Sequence, residues 1–266
     1  MKALVINYFK LWKTFFSNCL TRELEFKFNF LGNLFIDSSF YISQYFFFHI
    51  IFSYTNSLGV FKKDEVVIFL LVTYIADSIF NIFFGRNLYE INRSIVKGNL
   101  DFLLIKPINH QFYISFRYVG VTDIVQFIIL SFILIRAYSI YVINIQWFNI
   151  FIFFISLLCG VLIWYAVEFL LFSLAFWFRS FASAGWLSNN FIKFSRRPDS
   201  IFSGILRKTL MTFIPMAMIC SIPTRFLIFS FDSKLFFLQI CITIWFLYLT
   251  TVIWHKGSYH YESASS

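Results

Sequence analysis

Residues 147–178, WFNIFIFFISLLCGVLIWYAVEFLLFSLAFWF, decide the fold class of this chain. Glu168 is the only charged residue in the stretch. A helix that crosses the hydrocarbon core of a bilayer needs about 20 predominantly apolar residues. The stretch exceeds that length, so it predicts a membrane-spanning helix that either tilts strongly or projects into the cytosol.

The rest of the chain has the same apolar character. Hydrophobic residues make up 59% of it and charged residues 13%, and the mean hydropathy is +0.75. Soluble domains are about a quarter charged, so the composition predicts a polytopic membrane protein. Its spans are expected to be helices, because lipid offers no partner to an unpaired backbone amide. The predicted fold class is therefore all-α, with six transmembrane helices at residues 28–53, 66–84, 113–135, 147–178, 209–229 and 235–254.

Lysine and arginine are distributed unevenly between the two sides that these spans define. Of the 22 cations, 17 lie in the N-terminal segment, in the loops after the second and fourth spans, and in the tail. Cytoplasmic loops of membrane proteins carry such an excess. The pattern predicts that both termini are cytoplasmic, and it favours six spans because an odd number would break the alternation.

The segments outside the spans are short. In the N-terminal segment, apolar residues share one helical face and Lys2, Lys10 and Lys13 the opposite one, which predicts a helix lying in the membrane interface. The predicted parts are an N-terminal segment at 1–27, a transmembrane domain at 28–254 with cytoplasmic loops at 86–117 and 179–208, and a cytoplasmic tail at 255–266.

Several classes of function are disfavoured by the sequence. It contains no GxxxxGK[ST] phosphate loop, no HExxH, GxSxG or CxxC motif, and no metal-ligand spacing among its 4 cysteines and 4 histidines. The net charge of +9 arises from short loops between apolar runs, so it indicates membrane topology and no nucleic-acid partner. We expect no catalytic site and no metal in this chain.

The loop at 86–117, RNLYEINRSIVKGNLDFLLIKPINHQFYISFR, is basic and amphipathic. Apolar residues fall at helical spacing before and after the Gly98–Asn99 break, and Pro107 ends the second element because the residue before proline avoids the α region. The pattern predicts two short helices and a turn along the inner surface. The loop is either held to the membrane by its cations or built to dock a cytosolic partner.

Part of this loop resembles a known family. Residues 95–108, IVKGNLDFLLIKPI, are similar to the I-x-x-G-x-L-D-x-L-L-x-x-P stretch of type-2 ATP-binding-cassette (ABC) export permeases, in particular the daunorubicin- and viologen-exporter-like group. A second run, RPDSIF at 197–202, followed by Leu206–Arg207, Pro215 and Pro223, resembles the Y-P-x-x-I-F-x-x-x-L-R … I-P … I-P run of the same family. A weaker match at 23–30 departs from the family's L-x-Y-R pattern.

The resemblance implies a mechanism. In this family the loop after the second span is a coupling element that docks into a groove on a separate ATPase subunit. Two permeases, identical or paralogous, join two copies of that ATPase, which binds ATP and Mg²⁺, so the permease alone is not an enzyme and needs no cofactor. In this sequence Gly98 would allow the turn and Asp101 would cap or pair within the element, which the resemblance places at Ile95, Gly98, Leu100, Asp101, Leu104 and Pro107.

Acidic residues occur at similar depths in the first four predicted spans. Asp37, Asp77, Asp123 and Glu168 each lie roughly 14 Å from the inner surface at 1.5 Å per helical residue. A charge at that depth is costly and usually faces a cavity or a partner. Two or more of these carboxylates are predicted to line a cavity for a cationic substrate. The alternative is that they are protonated, or hydrogen-bonded to adjacent helices.

The predicted fifth span contains Pro215 and Pro223. Proline kinks or breaks a helix. The span is therefore either a kinked helix or a re-entrant segment that forms an outer gate, which membranes tolerate only where the segment is buried in protein.

The leading hypothesis is the membrane subunit of a bacterial ABC exporter in the cell membrane, which moves a small amphipathic molecule or a peptide. The alternative is a stand-alone secondary transporter or channel that uses the membrane-embedded carboxylates. Such transporters often carry paired broken helices in two repeats, whereas here only the predicted fifth span is interrupted.

Overall fold

The computed structural model describes residues 7–141, 147–178 and 183–261. Lys2 and Arg179, counted above among the cytoplasmic cations, lie outside these ranges. The described chain is built almost wholly of α-helices. In order they are α1 Tyr8–Glu25, α2 Lys27–Tyr54, α3 Lys63–Phe80, α4 Arg86–Val96, α5 Asp101–Leu104, α6 His110–Phe116, α7 Val121–Tyr141, α8 Trp147–Ser173, α9 Ala184–Ser195, α10 Gly204–Thr212, α11 Ala217–Ile228 and α12 Ser233–His260.

Shorter elements connect these helices. A π-helical turn, Asn81–Gly85, joins α3 to α4 without a break, and a 3₁₀ turn, Leu174–Phe176, extends α8. A second 3₁₀ turn, Asp199–Ile201, lies between α9 and α10. Strands β1 (Ser57–Leu58) and β2 (Phe61–Lys62) form an antiparallel hairpin between α2 and α3.

Four helical segments of the described chain are long and apolar enough to cross a membrane: Lys63–Val96, Val121–Tyr141, Trp147–Phe176 and Ser233–His260. A fifth results if α10 and α11, which meet at an angle of 92°, are counted as one broken span. Helix α2 has the necessary length, but polar residues such as Asn33 and Gln44 make it less apolar than the four. The all-α membrane fold is confirmed, and the count of six spans stays a prediction.

Three helix ends differ from the prediction. The second span does not stop near residue 84, because α3, the π turn and α4 form one helix of 34 residues that ends at Val96. The predicted third span at 113–135 begins at Val121 instead, since residues 117–120 leave the helical path after α6. Helix α12 runs to His260 and so includes the first residues of the predicted tail.

The predicted cytoplasmic loop at 179–208 contains a helix, α9, that the sequence pattern did not indicate. After α9 the chain reaches the β1–β2 hairpin, where Ser200 Oγ accepts a hydrogen bond from Val60 N at 3.2 Å. Gly59 makes the tight turn of that hairpin with φ of +65°. The hairpin and the loop at 179–208 were predicted on opposite sides of the membrane, and this contact is incompatible with both placements at once.

Helix α8 forms the centre of the bundle and packs against α3, α11 and α12. It approaches α11 closely at Gly160, where a Cβ atom would overlap the carbonyl oxygen of Ile219. Small residues permit such close helix crossings in membranes. The buried amide of Gln239 on α12 links α8 to α11 nearby. Its Nε2 donates to the carbonyl oxygens of Ser156 and Met218 at 3.0 and 3.1 Å.

A Gly160→Ala substitution is expected to destabilise the protein by about 2 kcal/mol, because overpacking of a close contact costs about 1–3 kcal/mol. The matched control is Gly32→Ala on α2, where an added Cβ would meet nothing within 4 Å. Thermal unfolding of the detergent-purified protein measures the difference. Equal apparent Tm values for the two variants would show that α8 and α11 are not in close contact.

Candidate coupling surface and intramembrane polar cluster

The predicted coupling element lies at the end of the long helix Lys63–Val96. Gly98 has φ of +73°, a conformation that residues with a Cβ atom rarely adopt. Backbone hydrogen bonds from Lys97 N to Arg93 O and from Gly98 N to Ile95 O, at 3.0 and 3.3 Å, end α4. The chain then turns through Leu100 into α5. The glycine turn expected from the sequence is present at this position.

One side of the element faces the protein core. Ile95, Leu100 and Leu103 are buried, and they hold α4 and α5 against the rest of the bundle. Ile95 and Leu100 belong to the predicted coupling set, and they support the element through its buried side. Leu104, also in that set, is half-buried.

The other side of the element is exposed and apolar. Phe102 in α5 is 70% exposed, and Ile105, directly after α5, is 79% exposed. Contiguous exposed apolar patches mark sites of protein or membrane interaction. We define the coupling surface as Val96, Lys97, Phe102, Ile105 and Pro107, all of which are exposed. Of these, only Pro107 was singled out from the sequence, although the i, i+3 spacing of Phe102 and Ile105 was a usable signal.

Asp101 lies beside the end of α12. Burial, and next the negative charge of Asp101, raise the pKa of the Tyr261 phenol. The phenol therefore stays protonated next to the carboxylate. The structure thus brings Asp101 against Tyr261, the residue that follows α12. The N-cap position of α5, Leu100, makes no side-chain capping hydrogen bond.

Helices α4 and α6 support the coupling surface from the membrane side. Asn87 is buried and donates to Tyr118 O at 2.7 Å, while its Oδ1 accepts from Tyr118 N at 2.8 Å. Asn109 caps α6 by accepting from Phe112 N at 2.9 Å. These bonds fix α6 and the break at 117–120 to the start of α4.

The N-terminal helix α1 packs on the same region. Tyr8 contacts the ring of Phe112 with centroids 4.8 Å apart, and Phe15 contacts Tyr113 at 5.5 Å. Cys19 is buried, and its Sγ accepts from Val119 N at 3.4 Å. Helix α1 is therefore attached to α6 and to residues 117–120 through one of its faces.

A second group of functional candidates lies within the membrane-spanning part. Arg196 Nη2 pairs with Asp77 Oδ1 at 3.2 Å, and Tyr41 Oη donates to Asp77 Oδ2 at 3.0 Å. Tyr41 Oη is also 3.5 Å from Gln126 Oε1, and Gln126 Nε2 donates to Asp37 Oδ2 at 2.8 Å. These five residues join α2, α3, α7 and the end of α9.

Asp123 belongs to this polar cluster, because its carboxyl group lies within electrostatic range of Asp77 and Asp37. Three of the four predicted acidic residues are thus brought together by the fold. Their side chains are partly exposed in the single chain. Arg196, which the sequence assigned to a cytoplasmic loop, is a member that the sequence pattern did not indicate.

Glu168 has a different environment. Its Oε1 accepts from Trp164 Nε1 at 2.8 Å and from Ser188 Oγ at 2.7 Å, and the side chain is buried. Hydrogen bonds of this kind satisfy a buried carboxyl group. Glu168 is therefore hydrogen-bonded to an adjacent helix, which is the alternative to its lining a substrate cavity.

A third polar group holds α10 and α11 together. Asp199 is fully buried and accepts from Arg207 Nη2 at 2.7 Å and from Arg225 Nη2 and Nε at 2.9 Å. Its backbone amide donates to Ser221 Oγ at 2.8 Å. We name Asp199, Arg207 and Arg225 the arginine clamp. The sequence did not indicate it, since Arg207 and Arg225 were predicted on opposite faces of the membrane.

The two gate candidates occupy different positions. Pro215 lies in the turn between α10 and α11, where the chain bends by 92°. Pro223 lies inside α11 and does not end it. The predicted interruption of this segment is present at Pro215, and the role of the two prolines as a gate stays a prediction.

The comparisons with known proteins agree with this arrangement. The model of a family described as ABC-2 family transporter protein matches residues 39–265. No curated protein and no solved structure matches the chain. The daunorubicin- and viologen-exporter-like group within the type-2 permeases stays a prediction. Because the matched region covers most of the chain, the protein belongs to the ABC-2 family of transporter proteins.

Proposed function

We propose that this chain is the transmembrane permease subunit of an ABC exporter and forms half of its translocation pathway. A separate ATPase subunit, present in two copies, would bind ATP and Mg²⁺ and dock on the coupling surface. A second permease, identical or paralogous, would complete the pathway. The proposed location is the cell membrane of a bacterium.

The coupling surface is the observation that carries the proposal. Phe102 in α5 and Ile105 directly after it are exposed, and Lys97 and Pro107 are exposed beside them. Interface hot spots are often aromatic or apolar anchors surrounded by polar residues. At 1.5 Å per residue, the helix Lys63–Val96 is about 51 Å long, which exceeds a hydrocarbon core of about 30 Å. Its end therefore suits contact with a cytosolic protein.

The proposed topology has six crossings with both termini inside. Helices α2, α3, α7 and α8 supply four, α9 with residues 196–203 supplies the fifth, and α12 supplies the sixth. The contact between Ser200 and Val60 supports this path, because it takes the chain after α9 to the hairpin that follows α2. Helices α10 and α11 then form a re-entrant outer segment instead of a span, with Pro215 at its turn.

The polar cluster supports a proposal for the charge of the transported substrate. Asp37, Asp77 and Asp123 bring three carboxyl groups together, and only Arg196 joins them as a cation in the hydrogen bonds and ion pairs described. An excess of carboxylates in a partly exposed site favours a cationic or amphipathic cationic molecule. The proposed substrate is thus a small amphipathic molecule or a peptide that carries positive charge.

Amide substitutions of the cluster test this substrate class. Asp37→Asn, Asp77→Asn and Asp123→Asn are each expected to lower export of a cationic dye about fivefold, equivalent to about 1 kcal/mol of charge interaction. Export of a neutral dye should change little. Asp64→Asn, an exposed residue in the first turn of α3, is the matched control. Unchanged export of every cationic substrate by all three variants would remove the substrate proposal.

Affinity purification tests the function itself. The chain, tagged at its C-terminus, is purified from its native membrane in mild detergent, and co-eluting proteins are identified by mass spectrometry. A co-eluting nucleotide-binding ATPase subunit is the expected result, and a second, different permease in the same eluate would show a heterodimer. If no ATPase is present under conditions that preserve known ABC complexes, the stand-alone transporter driven through the embedded carboxylates becomes the better explanation.

A further inference from the structure

Three arginine side chains converge on the ring of Tyr118, at the break between α6 and α7. The Cζ atoms of Arg22, Arg86 and Arg117 lie 5.9, 5.0 and 5.1 Å from the ring centroid. Cation–π attraction contributes to each contact. The three come from α1, the start of α4 and the end of α6, so this arginine cradle forms only when those segments are packed together.

The cradle carries an excess of positive charge. In the described ranges, Arg22 has one acidic neighbour, Glu23, at 3.9 Å, and no carboxylate lies within ion-pair distance of Arg86 or Arg117. Like charges that converge without counter-charges repel one another. The packing of α1 therefore gathers three cations at one point and supplies one carboxylate, Glu23, which leaves an excess of two positive charges.

A cavity of about 270 Å³ opens beside the cradle. Arg22 and Arg117 reach into it, and Asn18 offers an amide. The remaining wall is apolar or aromatic, formed by the side chains of Phe15, Cys19, Tyr113 and Tyr118. Cationic and apolar groups thus line the same space, a combination that suits an anionic headgroup attached to an acyl chain.

We propose that the arginine cradle binds the phosphate group of an anionic phospholipid. Guanidinium groups bind phosphate through paired, charge-assisted hydrogen bonds, and basic pockets between transmembrane helices hold anionic headgroups on the cytoplasmic side. The apolar wall and the attachment of α1, whose pattern is that of an interfacial helix, favour a lipid over a soluble phosphate. The bound phosphate lowers the excess positive charge of the cradle and bridges Arg22 of α1 to Arg117 at the end of α6.

The test uses the full-length protein in phosphatidylcholine vesicles that contain spin-labelled phosphatidylglycerol. The motionally restricted fraction of this lipid, relative to that of spin-labelled phosphatidylcholine, measures selectivity for the anionic headgroup. Arg22→Gln and Arg117→Gln, which replace the two arginines that line the cavity, are each expected to weaken the selectivity about fivefold. The matched control is Lys10→Gln, Lys13→Gln and Lys27→Gln combined, which removes three exposed cations near the same interface and should preserve the selective component.

Two outcomes would overturn the proposal. Equal loss of selectivity in the cradle variants and in the lysine control would show attraction by net charge alone, without a site. Binding of inorganic phosphate that is lost in the cradle variants, with no selectivity for phosphatidylglycerol, would assign the cradle to a soluble ligand. The native fold of each variant is checked by circular dichroism and gel filtration, so that a failure to fold is recognised as such.

Discussion

An Asp199→Asn substitution is expected to lower the free energy of unfolding by about 3 kcal/mol, because removing one partner of a buried ion pair leaves the others uncompensated. Arg207 and Arg225 both bond to this carboxylate, and Asp199 itself is fully buried. Asparagine keeps the side-chain shape but offers one acceptor oxygen and no charge to the two guanidinium groups. We expect α10 to separate from α11 in the variant.

Thermal unfolding and limited proteolysis measure this effect. The apparent Tm of the detergent-purified variant should fall, and cleavage in residues 204–216 should become faster. Asp64→Asn is the matched control, because Asp64 is exposed and the chemical change is the same. If Asp199→Asn and Asp64→Asn unfold at the same temperature, the arginine clamp does not hold α10 against α11.

Replacing Phe102 and Ile105 together with alanine is expected to weaken binding of the ATPase subunit about 100-fold. Each is an exposed apolar side chain, and truncation of an interface anchor commonly costs more than 1 kcal/mol. Two such losses amount to about 3 kcal/mol, or two orders of magnitude in Kd. Neither side chain contributes to the buried core, so the fold of the permease should be retained.

The measurement is the amount of ATPase bound to the immobilised permease as the ATPase concentration is raised. Ile205→Ala combined with Phe213→Ala is the matched control, since these side chains are 84% and 81% exposed, on α10 and directly after it. Normal ATPase binding by the Phe102 and Ile105 variant would place the docking surface on another part of the chain. A loss of binding in the control variant as well would indicate a general effect on the purified protein.

Local sequence patterns were sufficient to predict an element where a single property, such as hydrophobicity or a glycine, determined its structure. The stretch at 147–178 holds one charged residue, and the structure has a helical segment at Trp147–Phe176. Gly98 was expected at a turn, and its φ is positive. Three of the four acidic residues share one cluster because residues at equal depth in neighbouring helices are brought close when those helices pack.

The position of α9 could not be predicted, because it depends on ion pairs between residues that are apart in the sequence. Helix α9 contains Ser188, Asn189, Asn190 and Lys193 and is flanked by arginines, so counting charges assigned it to the cytoplasm. Arg196 is instead paired with Asp77, 119 residues earlier in the chain, and Arg207 is paired with Asp199. A cation paired with a carboxylate no longer reports the side of the membrane on which it lies. The sequence alone does not show which cations are paired.

The π-helical turn Asn81–Gly85 divides the long helix Lys63–Val96 into two unequal arms. A π-helical turn shifts the backbone hydrogen-bond pattern, so that a carbonyl oxygen can bond outside the helix. Here the Ile82 carbonyl oxygen accepts from Gly120 N at 3.0 Å. At 1.5 Å per residue, the arm α4 is about 16 Å long and the arm α3 about 27 Å. The helix therefore has the proportions of a lever with its fulcrum at this turn. A lateral shift of 1 Å at the coupling surface would swing the β1–β2 hairpin by about 1.6 Å in the opposite direction, and Asp77, four residues from the fulcrum, would hardly move.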